Sequence, residues 1–221
     1  MTAAENASRS GGGLWHRFGR QLARPKGLTG LLVGRLMAQI NRAPYRLALE
    51  ALAPQRSDRV LEIGFGPGEG IATLAVQVSA GRIIGLDAAS AMLAQASRRN
   101  RKAIAEGRVA LGIGEASDLP WAAASFDRVL AVNVAYFFDS RGDAASEIRR
   151  VLAPGGRAVL YVTDRATMAH WPFAGPQTHK TYDAFSLQQL LRAGGFAANR
   201  IRIERHRLPF GAWGLVAIAS A

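Results

Sequence analysis

From Arg59 onward the chain alternates short apolar runs with amphipathic stretches. The runs at 59–64, 82–87, 108–113, 127–132 and 157–163 are rich in Val, Ile and Leu and read as strands. Between them, 69–79, 90–105 and 141–152 carry apolar residues at helical spacing. Strands separated by helices of this length imply βαβ units around a parallel sheet. A looser stretch with Pro172 and Pro176 follows, then a helix near 186–193. Two last strands, near 200–207 and 211–219, read as an antiparallel pair joined by Leu208-Pro209-Phe210-Gly211.

Ahead of the first strand the period is helical. Leu28, Leu31, Leu32, Leu36 and Ile40 recur every three or four residues, with Arg35 and Arg42 off the stripe. Pro25 and Pro44 divide this stretch into two or three helices. Residues 1–13, with Gly11-Gly12-Gly13, lack periodicity and read as a disordered lead. The expected division is therefore a lead (1–13), a helical cap (14–55) and an α/β domain (56–221).

Composition changes this picture little. Of 221 residues, 49% are hydrophobic and 20% charged, enough for an ordinary packed core. The chain has no cysteine, which excludes disulfides, Cys-ligated zinc and a thiol nucleophile, and fits a reducing interior. The apolar run Leu31-Leu32-Val33-Gly34 is cut by Arg35, and Phe210 to Ala219 is also short of the ~20 residues a membrane span needs. Charge is more telling. The net +12 divides into +7 over residues 1–59, +1 over 60–163 and +4 over 164–221. A near-neutral centre with basic ends attracts anions, whether substrate, lipid head group or nucleic acid, or serves solubility alone.

The chemistry concentrates at strand ends. The first strand runs into Gly64-Phe65-Gly66-Pro67-Gly68, and ligands of open parallel sheets bind beyond such carboxyl ends. The spacing is G-x-G-x-G. The place of a third dinucleotide glycine falls on Glu69, which opens the next helix and would repel a pyrophosphate there. Glu62, two residues before the turn, can hold a cationic ammonium or organise the loop amides. Asp87 ends the second strand, 19 residues after Gly68, where an acid binds ribose hydroxyls or else caps the following helix. Met92 lies either against an adenine face or in the core. Glu115, at the third strand's tip, can accept from an adenine amino group.

Taken together, these residues resemble the class I S-adenosylmethionine-dependent methyltransferases, in particular the type 11 or UbiE-like branch. The resemblance runs from about Arg59 to Tyr161. It comprises the V-L-E-I-G-x-G-x-G turn, the G-L-D acid, Gly114-Glu115-Ala116 with Leu119-Pro120, Ser125-Phe126-Asp127, and Glu147-Ile148-Arg149-Arg150-Val151-Leu152-Ala153-Pro154-Gly155-Gly156. It implies a Rossmann-like seven-stranded sheet in the order 3-2-1-4-5-7-6, the last strand antiparallel. It also implies a cofactor pocket of Glu62, Gly64, Phe65, Gly66, Gly68, Asp87, Ala88, Met92, Glu115, Ala116 and Asn133. Glu62 and the glycines would line the methionine end, Asp87 the ribose, and Glu115 with Ala116 the adenine. The branch more often has Asp at the place of Glu115.

Methyl transfer from a sulfonium asks mainly for alignment and exclusion of water, with a base where the nucleophile carries a proton. The cofactor would be S-adenosyl-L-methionine, leaving S-adenosyl-L-homocysteine, with no metal. Substrate-side candidates are Asn133 and Tyr136, Asp164, and His170, His179 and Tyr182 in the following loop, with Trp171 and Phe173 as walls. Val134-Ala135 after Asn133 departs from the Asn-Pro-Pro-Tyr of adenine-flipping enzymes. The expected acceptor is a small or lipid-like molecule, for a protein in the cytoplasm or at the inner membrane surface. Alternatives are a membrane-peripheral lipid methyltransferase, an RNA methyltransferase and a non-catalytic cofactor-binding protein.

Overall fold

The computed structural model describes residues 42–139, 141–171 and 180–221. The expected lead, the stripe from Leu28 to Ile40, and the candidates Phe173 and His179 lie outside the described residues.

Seven strands form one sheet: β1 (Arg59–Ile63), β2 (Arg82–Asp87), β3 (Val109–Ile113), β4 (Phe126–Val132), β5 (Leu152–Thr163), β6 (Ile201–Arg207) and β7 (Trp213–Ser220). Their order is β3-β2-β1-β4-β5-β7-β6. β1 to β5 pair in parallel, and β7 runs antiparallel to both β5 and β6. Helices α1 (Arg42–Leu52), α2 (Glu69–Gln77), α3 (Ser90–Arg99), α4 (Arg101–Ala105), α5 (Asp143–Val151), α6 (Arg165–Met168) and α7 (Ala184–Ala193) accompany it.

The central strands are largely apolar because both faces are covered. On one face Val60, Ile83, Leu130, Val132 and Val159 pack with Leu49, Leu52, Ile71, Leu74 and Ala96. On the other Leu61, Ile63, Val129, Ala131 and Leu160 pack with Ile148, Leu187 and Leu191. Neighbours such as Val60 and Leu61 take opposite faces, as the strand period of two requires.

Two boundaries differ from the expectation, each for a local reason. The stretch 90–105 is two helices, broken at Asn100, whose backbone leaves the helical region (φ −101°, ψ 15°). β5 begins at Leu152 instead of 157, because Leu152 pairs with Phe126 before the ladder skips to Arg128 and Arg157. Helix α1, at the end of the stretch expected as a cap, packs on the sheet. Ala48, Leu49 and Leu52 are core residues, and Arg157 fastens the helix to β5 by donating to the Ala51 carbonyl at 2.9 Å. Pro44 is tolerated because it falls in the first turn of α1, where its missing N–H costs no helical bond.

Candidate cofactor site

The parallel strands deliver their carboxyl ends to one edge of the sheet, and the Gly-rich turn lies there between β1 and α2. Gly64, Gly66 and Gly68 all have left-handed backbones (φ 70°, 52° and 82°). Two are hemmed in. A Cβ on Gly64 would meet Val134 Cγ2 at 2.6 Å, and one on Gly68 would meet Ala96 Cβ and Asn100 Nδ2 at 2.7 Å. Gly66 differs, with nothing within 4 Å of such a Cβ. The middle glycine faces open space, the geometry needed for a ligand to approach the backbone.

Asp87 holds the turn together. Its Oδ2 accepts from Gly66 N at 2.9 Å and its Oδ1 from Ala89 N at 2.8 Å. Burial raises the Asp87 pKa, opposed by the amides of Ala89, Gly66 and Ala88. The capping and loop-organising roles thus coexist on one carboxylate. Ala88 and Glu115 are exposed at the same rim, and Ala116 is half-buried.

Glu62 is fully buried. The Tyr45 hydroxyl donates to its Oε1 at 2.6 Å, while its Oε2 is buried with no hydrogen-bond partner. Burial raises its pKa to about 8, with Asp87 adding to the rise and the Tyr45 bond opposing it. A Cβ at Gly70 would collide with the Tyr45 ring and the Glu62 carboxyl, so only glycine fits over this pair.

Two expected cofactor residues turn inward instead. Met92 is 2% exposed and packs in the core cluster with Ile71 and Ala96. The Phe65 ring is also in the core, accommodated by Gly85, where a Cβ would lie 2.8 Å from it. Phe65 therefore offers the site its backbone alone.

The substrate-side candidates sit mostly at the tips of β4 and β5, and they are occupied with one another. Tyr136 donates to Asn133 Oδ1 at 2.8 Å and accepts from Thr163 N, and burial pushes its pKa up to about 12. It keeps its proton at neutral pH, so the structure does not make it a base. Asn133 itself is held in a left-handed backbone (φ 55°). Asp164 caps α6 through Ala166 N at 2.8 Å and is paired with Arg205 Nε at 2.8 Å. Arg205 in turn stacks on Trp213. Tyr182 is buried and donates to the Ala135 carbonyl. His170 is exposed just beyond α6, and Trp171 packs half-buried on the core.

Three positioning features escaped the sequence. Tyr45 carries no motif and reaches Glu62 only through packing. Asn100 is 4% exposed and donates from Nδ2 to the carbonyls of Gly68 (3.0 Å) and Ala96 (2.9 Å). The one available signal was a poor helix former inside a helical run. Arg150 ties the segment after β3 to α5, donating to the carbonyls of Trp121 (2.6 Å) and Leu119 (2.9 Å). Its partner Glu147 accepts from Leu119 N at 2.9 Å. The motif containing this pair was legible; what it grips was not. Apart from these, a groove of about 690 Å³ runs between α1 and α2, lined by Arg46, Leu49, Thr73 and Arg99 among others.

Comparison with known proteins agrees with the geometry. The methyltransferase-domain family matches residues 61–160. An uncharacterised methyltransferase of Bacillus subtilis, YdaC, is 27% identical over 74% of this chain and 86% of its own length. A malonyl-[acyl-carrier protein] O-methyltransferase of Methylococcus capsulatus is 34% identical over 69% of this chain and 56% of its own. A transposon-borne protein of Streptomyces fradiae is 37% identical over 54% of this chain, which spans only 34% of that protein. Among solved structures, a putative methyltransferase from Haloferax volcanii, in complex with the Trm112 activator, superposes with a TM-score of 0.73. It is 18% identical, and the match covers 85% of this chain and 93% of that one. Residues 61–160 thus carry a methyltransferase domain, on a fold shared with solved methyltransferase structures.

Proposed function

We propose that this protein is an enzyme that transfers a methyl group from S-adenosylmethionine to an oxygen of a small-molecule acceptor. The observation that carries the cofactor reading is the convergence of Glu62, Asp87 and the open left-handed Gly66 at one sheet edge. The buried Glu62 Oε2 without a partner calls for a cationic group, and a pyrophosphate would be repelled by the acids gathered there. The cofactor supplies a methyl group already activated on a sulfonium. The chain's share is to bind and align. Glu62 and the turn amides would take the methionine end, Asp87 the ribose, and Ala88, Glu115 and Ala116 the adenine end, with Asn133 at the border to the acceptor.

The oxygen acceptor is supported by the name of the Methylococcus relative. A carboxylate or readily ionised hydroxyl would need no strong base, in keeping with Tyr136 and Asp164 being engaged internally; His170 and His179 stay candidates for a base. The basic terminal regions favour an anionic or lipid-like acceptor, in the cytoplasm or at an inner membrane surface. Among the described residues no helix is long and apolar enough to cross a membrane.

The test is formation of S-adenosylhomocysteine when the protein is given S-adenosylmethionine and a panel of carboxylic acids and phenols, with and without anionic vesicles. Methylated product is expected, and Asp87→Ala should remove measurable cofactor binding in calorimetry. Unchanged binding by that variant refutes the placement of the pocket. Turnover only with RNA, or binding without any turnover, refutes the acceptor.

A further inference from the structure

Glu62 sits where a carboxylate has little to stabilise its charge. In the sheet its neighbours are Gly85 of β2 and Leu130 of β4, neither of which has a side-chain donor. From α2, Gly70 closes over it, and Glu69, whose charge acts on Tyr45, is already paired with Arg99 of α3 at 2.9 Å. From β2, Asp87 contributes repulsion. From α1 comes the single donor, the Tyr45 hydroxyl, and it reaches Oε1 alone. Oε2 is buried without a partner. Among the described residues no Lys, Arg or His is recorded in hydrogen-bond or ion-pair contact with this carboxyl.

We propose that the Tyr45–Glu62 pair is a proton-exchange element of the cofactor site. Glu62 holds a proton while no cationic group is present, and releases it to solvent when the ligand's ammonium arrives. This rests on the cofactor reading above. The O–H bond of the carboxylic acid breaks, the electron pair stays on Glu62, and the incoming cation replaces the lost proton as counter-charge. Tyr45 is a positioning residue here: its hydroxyl continues to donate to Oε1 and stabilises the ionised form. The folded-state pKa near 8 is consistent with a carboxyl poised to make this exchange around neutral pH. Because Tyr45 belongs to α1, the helix leading in from the N-terminal region, the exchange depends on α1 being seated on the sheet.

The test uses the intact protein with S-adenosylmethionine and S-adenosylhomocysteine, both of which carry the ammonium. Titration calorimetry near pH 7 in buffers of different ionisation enthalpy counts protons. Release of about one proton per site is expected, and Glu62→Gln should abolish it; comparing the two cancels the titration of the ligand's own amine. Infrared difference spectra of the wild type, which require no variant to fold, should lose a carboxylic acid C=O band on binding. Tyr45→Phe should weaken binding about tenfold and shift the pH dependence of affinity upward, since a donor to the charged form is gone. Binding without proton release and with the acid band retained overturns the inference but leaves the cofactor reading standing. Failure to bind either ligand overturns both. A Tyr45→Phe pH profile identical to wild type removes Tyr45 from the element.

Discussion

Three glycines share a left-handed backbone at the turn after β1, yet their surroundings divide their roles. At Gly64 and Gly68 an added Cβ collides with Val134 or with Ala96 and Asn100, so substitution there disturbs packing as well as backbone. At Gly66 nothing lies within 4 Å, so the added methyl projects into open space at the sheet edge. Gly66→Ala should therefore cost only about 1 kcal/mol of stability from the left-handed backbone. Its loss of cofactor affinity should be much larger. Thermal denaturation and calorimetry on the same sample separate the two, and Gly68→Ala should show the reverse order, a large loss of stability. The spacing of the glycines was readable directly. Which of them has open space beside it was not, because that depends on Val134, just past β4, and on Ala96 and Asn100 at the end of α3, all distant along the chain.

Between elements, long-range side-chain bonds hold the turn and the segment after β3. Asn100 breaks the helical run after β2 and turns its amide onto the Gly68 carbonyl. Removing it takes one of two donors from that buried carbonyl, which still accepts from Ala72 N at 3.1 Å, and costs about 0.5–1.5 kcal/mol. Asn100→Ala should lower stability by that amount. It should also raise the KM for cofactor more than it lowers kcat, since the catalytic alignment on the far side of the turn is untouched. Arg150 holds the segment carrying Glu115 and Ala116 through the Trp121 and Leu119 carbonyls. Arg150→Ala should loosen that segment, detected as faster amide exchange at 115–121 and weaker cofactor binding. The elements themselves were predicted within a few residues. The errors fell where a tertiary bond overrides local periodicity, as at Asn100 and at the Leu152–Phe126 pairing.

For the whole molecule, the burial of Glu62 has a consequence for stability. Its folded pKa of about 8 lies above the ordinary carboxylate value of 4.5, so the unfolded chain binds fewer protons between these values. Stability is therefore fully present below about pH 4.5 and lost as pH rises toward 8, at about 1.4 kcal/mol per pH unit. Asp87, also raised by burial, acts in the same direction. Denaturant titrations of the ligand-free protein should show this decline between pH 5 and 8, and Glu62→Gln should flatten it. Saturation with cofactor should flatten it too, because a ligand cation then balances the charge.

The sequence by itself determined the alternation of strands and helices, the sheet order through its family resemblance, the left-handed turn through its glycines, and the acids at the strand tips. These are local signals: backbone preference, period, and residue type at a fixed place relative to a strand. Only the tertiary structure decided which candidates are buried or bonded internally and which stay accessible at the sheet edge. Met92 and Phe65 went to the core, Tyr136 and Asp164 to internal bonds, while Tyr45, Asn100 and Arg150 reached the site from elsewhere in the chain. The physical reason is common to all of them. Burial and hydrogen-bond partnership are set by residues that meet across elements, and no spacing along the chain records which ones will.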